Sequence, residues 1–194
     1  MTDTNAAASA PEPPPLHPTL ARLVDLFGDA IVDETTHGQI TVRIPAESAR
    51  EVLKALRDDG TLRFTRLSDV TAVDYLSFDP VTTRRDLGRT PRFDVVYHLS
   101  SLARNQRIRV KVALPEDAAT IPSAVDLWPA ANWAERETYD MFGITFAGHP
   151  QMTRILTPED WQGHPLRKDY PLIEEEIEFT TTQPTLNEPV RGAR

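Results

Sequence analysis

The chain contains no cysteine among its 194 residues. This absence excludes disulfide bonds, a thiolate nucleophile, and any zinc site or iron–sulfur cluster that is held by cysteine. If the protein works in electron transfer, we therefore expect it to carry no iron–sulfur cluster of its own.

Long apolar runs and an excess of positive charge are also missing. No stretch approaches the roughly 18 consecutive apolar residues that a membrane-spanning helix needs. The formal net charge is −8, which argues against nucleic acid or an anionic membrane surface as the main partner. We therefore expect a chain without a membrane span and without a nucleic-acid partner.

The chain also lacks glycine-rich phosphate loops and nucleophile elbows. The chain has only eight glycines, and none lies in a G-x-G-x-x-G, P-loop or G-x-S-x-G pattern. Without these motifs the sequence predicts no catalytic, cofactor-binding or metal residue on the chain.

The first 17 residues are rich in proline and lack the basic and apolar regions of a secretory signal. Five prolines between Pro11 and Pro18 favour an extended, poorly ordered arm over residues 1–17. A location in the cytoplasm of a prokaryote fits this beginning.

Residues 18–115 show alternating helical and strand periodicity. The pattern predicts, in order, a helix at 19–27, strands at 30–32 and 39–44, a helix at 45–60, and strands near 70–78, 92–99 and 107–114. We interpret this as a two-layer α+β domain (helix, two strands, helix, three strands) in which helices cover one face of a mostly antiparallel or mixed sheet. Arg107, Arg109 and Lys111 would lie on one face of the last strand. Such a basic row is either a binding face or the solvated side of an edge strand, and the second is our default interpretation.

Residues 116–172 differ from the preceding domain in their sequence pattern. A helix is predicted at 130–142 and would end at Gly143. The prolines and glycines that follow forbid a long helix or a central strand, so the sequence predicts an extended C-terminal segment that docks on a partner. An acidic tail over residues 173–194 begins with Glu174, Glu175 and Glu176.

Acid–base catalysis is one alternative for this segment. Glu135, Glu137 and Asp140 are candidate carboxylates for it. Nothing in the sequence supplies an apolar pocket that would separate their pKa values, and a salt-bridged helix surface explains them better.

A metal site is a second alternative. His149 and His164 could form a two-histidine, one-carboxylate site with Asp169 or Glu159, although the spacing matches no metal motif and each histidine lies in a turn-prone Gly-His-Pro triplet. A small metal-dependent enzyme therefore stays open as a hypothesis of a different class.

Aromatic residues are concentrated in the same region. Seven of the chain's 14 aromatic residues fall within residues 128–170. Tryptophan, tyrosine and arginine are frequent anchors of protein interfaces, which favours an interface. Burial in the chain's own core is the competing explanation, and we expect it for Trp133 and Phe142.

Several spaced blocks of this region resemble the family of the 30 kDa subunit of respiratory complex I, which includes the C subunit of the bacterial NADH–quinone oxidoreductase. The blocks are ERETYDMFG (135–143), GHP (148–150), RIL (154–156) and GHPLRKDYPL (163–172). One position departs from the family pattern, because Thr153 stands where a second basic residue generally precedes Arg154.

The resemblance implies a structural subunit of the peripheral arm that carries no redox centre. Electrons from NADH would pass through FMN and iron–sulfur centres in other subunits to a quinone. The partners would be the large hydrogenase-like subunit, of the forty-nine-kilodalton type, and other peripheral-arm subunits, on the cytoplasmic side of the bacterial membrane. The equivalent subunit of a ferredoxin- or F420-linked dehydrogenase, or of a membrane-bound hydrogenase, is the alternative within this architecture.

Thirteen residues of the motif region are the candidate interface residues. They are Glu135, Arg136, Glu137, Tyr139, Asp140, His149, Arg154, Trp161, His164, Arg167, Lys168, Asp169 and Tyr170.

Overall fold

The computed structural model describes residues 16–79, 84–87 and 91–171. Most of the predicted N-terminal arm and the whole predicted acidic tail lie outside the described residues. The elements in chain order are α1 (Pro18–Phe27), β1 (Val32–Asp33), β2 (Thr41–Pro45), α2 (Ala49–Asp58), β3 (Arg66–Asp74), β4 (Leu76–Asp79), β5 (Arg84–Leu87), β6 (Phe93–Ser101), β7 (Gln106–Leu114), β8 (Thr120–Pro122), α3 (Ala131–Phe142) and β9 (Thr145–Ala147).

A five-stranded mixed sheet forms the centre of the protein, with the strand order β1-β2-β7-β6-β3. Strands β2 and β7 pair in parallel, and the other neighbours are antiparallel. The predicted α+β class is therefore confirmed, and the sheet is mixed, as the prediction of a mostly antiparallel or mixed sheet allowed. Two smaller two-stranded sheets, β4-β5 and β8-β9, accompany it.

The core lies on one face of this sheet. Val95 of β6 is in register with Val112 of β7, and Tyr97 with Val110, so that their side chains form one apolar layer. Helices α1 and α2 add an apolar stripe each, with Leu23 among the buried residues of α1. Apolar residues at every second position of the strands, and at helical spacing in α1 and α2, place these side chains on the faces that pack together.

Strand β7 is central, so the interpretation of it as an edge strand is wrong. It lies between β2 and β6 because the crossover through α2 brings β2 alongside it in parallel. Alternation along one strand gives no information about its neighbours, and for that reason the sequence pattern could not place β7.

Two further boundaries differ from the sequence prediction. The strand expected near 70–78 is broken at Tyr75 into β3 and β4. The second helix begins at Ala49, after one tighter turn over residues 46–48, and not at Pro45.

Helix α3 is tied to the sheet at the edge strand β3. The Thr138 hydroxyl donates a hydrogen bond of 3.1 Å to the main-chain oxygen of Val70. Phe142 is buried in the same apolar cluster as the sheet, as expected, whereas Trp133 is 66% exposed and that expectation of burial is wrong. The helix ends at Gly143, as predicted, in the left-handed conformation that glycine accepts most easily.

Candidate functional site

The motif-bearing residues 148–171, here called the strap, contain no helix or strand. The strap follows β9 as a series of turns, for example from Pro158 to Trp161 and from His164 to Arg167. Such a backbone needs hydrogen-bond partners from outside regular structure. Buried carboxylates and one helix end supply many of them.

Asp140 is the first of these anchors. Its side chain is fully buried, and one carboxylate oxygen accepts hydrogen bonds of 2.8–3.0 Å from the three consecutive N–H groups of residues 155–157. The other oxygen accepts from the Thr157 hydroxyl and, at 2.8 Å, from Arg154. Arg154 also donates to the carbonyl oxygen of Gly163. One carboxylate of α3 thus fixes the middle of the strap.

These bonds set the charge state of Asp140. Burial raises the pKa of its carboxyl group, but the hydrogen bonds from Thr157, Leu156 and Arg154 outweigh burial and hold the pKa well below its usual value. Asp140 is therefore ionised at neutral pH, and its negative charge is neutralised within the chain.

The C-terminal end of α3 is the second anchor. Leu166 N–H donates to the carbonyl oxygen of Met141, Arg167 Nε donates to that of Phe142, and His164 Nδ1 pairs with that of Asp140 at 2.9 Å. Helix C-termini leave such carbonyl groups without partners, and cationic donors are favoured there by the helix dipole. The strap therefore supplies the hydrogen-bond partners that the last carbonyl groups of α3 lack within the helix.

Gly143 makes this close approach possible. A Cβ atom at this position would lie 2.5 Å from the ring of His164 and 2.6 Å from Arg167. Its φ of +71° also disfavours any other residue.

A buried arginine forms the third anchor. Arg92, just before β6, is almost fully buried and pairs with Asp74 at 2.7 Å, with Glu116 and with Asp169 of the strap at 2.8 Å. Asp74 also accepts a hydrogen bond from the N–H of Lys168. Hydrogen bonding to Asp74 is the main reason that the pKa of Arg92 is raised. Core and strap are joined here by charge-assisted hydrogen bonds.

Glu135 anchors the segment before α3. Its fully buried carboxylate accepts hydrogen bonds from the Ser123 hydroxyl at 2.6 Å and from the Ala124 N–H at 2.7 Å. Burial raises the pKa of Glu135, and these two hydrogen bonds only partly oppose it. Glu135 and Asp140 therefore hold this chain together from the inside and present no surface to a partner.

The remaining candidate interface residues lie at or near the surface. Arg136 donates to the carbonyl and hydroxyl oxygens of Thr153 and stacks on Trp133, 4.9 Å from the ring centre. Thr153, at the position that departs from the family pattern, therefore contacts Arg136 as a neutral acceptor. Glu137 is exposed, and Tyr139 packs edge-on against His164.

Apolar side chains accompany them on the outside. Trp133, Leu156 and Leu166 are 66%, 60% and 53% exposed. Lys168 is exposed, and Tyr170 is half-buried beside Gly163. The side-chain N–H of Trp161 is buried and has no hydrogen-bond partner in the part of the chain that the structure describes. Exposed apolar groups on a fixed backbone are features of a docking surface.

The hypothetical metal ligands have other partners. His149 pairs with the carbonyl oxygen of Asn132, His164 with that of Asp140, and Asp169 with Arg92. Over residues 16–79, 84–87 and 91–171 no three metal-ligating side chains are grouped as a metal site would require.

No helix within those same ranges combines the length and the apolar character that crossing a bilayer demands.

Sequence reasoning missed the network of Asp74, Arg92 and Glu116. A signal was present for Asp74, because it continues the inward phase of Val70 and Ala72 along β3. A carboxylate at a core position of a strand needs a buried partner. The sequence offered no means of identifying Arg92 as that partner.

Comparisons with known proteins agree with this architecture. The family model described as "Respiratory-chain NADH dehydrogenase, 30 Kd subunit" matches residues 42–176. The C subunit of NADH-quinone oxidoreductase from Roseiflexus castenholzii is 48% identical over 165 residues, covering 84% of this chain and 88% of that protein. Its counterpart in Citrifermentans bemidjiense is 51% identical over 154 residues, covering 79% and 88%.

Solved structures show the same fold. A trypsin-resistant fragment (1–134) of Nqo5 superposes with a TM-score of 0.58 at 34% identity, covering 69% of this chain and 98% of the fragment. A chain of the archaeal membrane-bound sulfane sulfur reductase superposes with a TM-score of 0.63 at 24% identity, covering 79% and 84%, which shows a shared fold alone. The protein belongs to the family of the respiratory-chain NADH dehydrogenase 30 Kd subunit.

Proposed function

We propose that this chain is a structural subunit of the peripheral arm of a proton-translocating NADH:quinone oxidoreductase, complex I. Its family, and its relatives named as the C subunit of that enzyme, support this assignment. In this proposal the chain has no active site of its own, and electrons pass from NADH through FMN and iron–sulfur centres on other subunits to a quinone. The complex would place the chain at the cytoplasmic side of the membrane.

The ordered strap is the observation that carries the structural role. Three internal anchors fix an irregular backbone, while Leu156 and Leu166 on the same segment face solvent. A segment that is already ordered loses less conformational entropy when it binds a partner. We propose that the strap and Trp133 form the contact with the large hydrogenase-like subunit.

The cofactor assignment rests on the family, and the composition agrees with it. A chain without cysteine offers no thiolate ligand for an iron–sulfur cluster. In this proposal, which takes FMN and the clusters from the family, both are held by partner subunits that this chain helps to position.

Affinity purification tests the assignment. A tagged full-length chain, extracted from membranes in mild detergent, is expected to retain NADH:quinone oxidoreductase activity and the other peripheral-arm subunits, identified by mass spectrometry. The purified chain by itself is expected to oxidise no NADH. Recovery of a stable monomer without partners would contradict the proposal.

Site-specific crosslinking tests the choice of partner. A photoreactive amino acid in place of Leu166 is expected to crosslink to the large hydrogenase-like subunit. The control position is Leu102, which is 71% exposed between β6 and β7, away from the strap. Equal crosslinking at both positions, or crosslinking of Leu166 to a different subunit, would refute this choice.

A further inference from the structure

A groove of about 750 Å³ lies on the side of the sheet turned away from the helices, near the turn between β6 and β7. None of the candidate interface residues lines it. Its charged and titratable lining residues are His17, Arg66, Asp69, His98, Arg107 and Arg109, and we call it the arginine groove.

Strand register arranges these residues in two neighbouring rows. Asp69, His98 and Arg109 form one row across β3, β6 and β7. Arg66 and Arg107 flank Ser100 in the next row, two residues further along β6. Two residues of a strand span roughly 6.8 Å, so the arginines of β7 are separated by about that distance along the strand.

The positive charges of the groove are largely uncompensated. Within the described ranges Arg66 and Arg107 form no ion pair. The Arg109 side chain donates to the side-chain oxygen of Gln39, at 3.1 Å, and also lines a smaller cavity with Asp33 and Glu34. Asp69 is the single carboxylate in the groove's lining. Three arginines therefore face one acidic group, on a chain whose net charge is −8.

The pKa of His98 is affected by the charges that line the groove. Burial lowers its pKa, Arg109 lowers it further, and Asp69 opposes the change. A bound anion would counter the charge of Arg109 and so raise the pKa of His98.

We propose that the arginine groove binds an extended, acidic segment of a partner protein, through ion pairs between its carboxylates and Arg66, Arg107 and Arg109. Side chains on one face of an extended peptide repeat at every second residue, which matches the spacing of the arginines along β7. Guanidinium groups recognise carboxylates through paired hydrogen bonds. A nucleic acid fits less well, because the lining of the groove contains no Phe, Tyr or Trp side chain on which bases could stack.

This surface is separate from the strap, and the proposal stands whether or not the strap binds the large subunit. Fluorescence anisotropy with a labelled hexaglutamate peptide and the full-length chain tests it directly. At low salt the peptide is expected to bind, and each of R66A, R107A and R109A is expected to weaken binding about threefold, the range of a partly exposed ion pair. Lys54, exposed on α2 at the other side of the sheet, provides the control K54A, which should bind like the wild type.

Protonation of His98 gives a second readout. Lowering the pH from about 7.5 to about 5.5 is expected to tighten binding, since glutamate stays ionised above its pKa of about 4.3, and the bound carboxylates raise the pKa of His98 and so favour its protonated form. This tightening is expected to be smaller in H98Q, in which His17 is the histidine that still lines the groove. Thermal unfolding of every variant shows whether the fold is retained.

Three results would overturn the proposal. One is no detectable binding of hexaglutamate, another is equal loss of binding in K54A, and the third is equal or tighter binding of an oligothymidylate of the same charge. The third result would identify a general polyanion site in place of a peptide groove. Inorganic phosphate is the probe for a small-anion site, and displacement of hexaglutamate by phosphate at an equal concentration would likewise contradict a peptide groove.

Discussion

Asp140 and Arg154 form an ion pair of 2.8 Å in which the carboxylate is fully buried and the guanidinium is largely so. The arginine belongs to the strap and the aspartate to α3, so this pair joins an irregular segment to a regular one. Removal of one partner of a buried pair leaves the other charge without compensation, which is costly.

Asp140→Asn is expected to destabilise the isolated chain by about 3 kcal/mol, because the amide cannot neutralise Arg154 and directs an N–H group toward other donors. Urea denaturation measures the loss. Hydrogen exchange is expected to accelerate at the N–H groups of residues 155–157, which lose their acceptor.

The pH dependence of this effect has a definite sign. The folded-state pKa of Asp140 is depressed, so its contribution is present above the unfolded-state pKa of about 4 and is lost as the pH falls through the folded-state pKa. The difference between wild type and Asp140→Asn should therefore shrink below about pH 4. Glu137→Gln, an exposed substitution on the same helix, is the control and should change stability by less than about 0.5 kcal/mol. A loss as large in the control as in Asp140→Asn would refute the role of Asp140.

Glu135 should give a pH profile of the opposite sign. Its folded-state pKa is raised, so its contribution to stability is present below the unfolded-state pKa of about 4.3 and is lost as the pH rises through the folded-state value. The wild type should therefore lose stability relative to Glu135→Gln as the pH rises above about 4.3 and through the raised folded-state pKa. Contributions from Asp74 and Asp140 occur in both proteins and cancel in the difference. Parallel profiles would show that burial of Glu135 has no net effect on its protonation.

Glu135 and Asp140 show which features of this region could be predicted from the sequence alone and which could not. The helix over residues 130–142 and its end at Gly143 followed from local spacing. The roles of Glu135 and Asp140 did not, because their partners are backbone N–H groups of two different loops, at residues 124 and 155–157. A charged residue on a helix predicts a solvated face unless its distant partners are known.

Gly143→Ala is expected to displace the strap. The new Cβ would meet His164 at 2.5 Å, in addition to the cost of about 1 kcal/mol for a left-handed residue with a side chain. The expected loss therefore exceeds about 1 kcal/mol in urea denaturation, with faster hydrogen exchange in residues 164–167. Gly38→Ala is a matched control: its φ is +75° and no atom lies within 4 Å, so only the backbone cost applies. Equal losses in both variants would exclude a steric contact with the strap.

Long-range pairing limited the fold prediction in the same way. Alternation correctly placed residues 107–114 in a strand, but the parallel pairing of Thr41 with Arg109 that makes this strand central depends on a crossover through α2. The sequence therefore predicts an edge strand for the row of Arg107, Arg109 and Lys111, and the structure places this row on a central strand. Local periodicity determines which face a residue occupies, whereas the neighbouring strand is determined by the whole topology.

Leu156→Asp and Leu166→Asp should separate assembly from folding. Both side chains are more than half exposed, so each substitution is expected to change the stability of the isolated chain by less than about 0.5 kcal/mol. In the assembled complex the same aspartate would be buried without a partner, which costs about 2 kcal/mol or more and corresponds to a loss of binding of about 30-fold. Co-purification from membranes measures the loss. Leu102→Asp introduces the same charge at a site that is 71% exposed and lies outside the strap, and it should leave recovery unchanged. If all three variants are recovered with the complex to the same extent, the strap is not the docking surface.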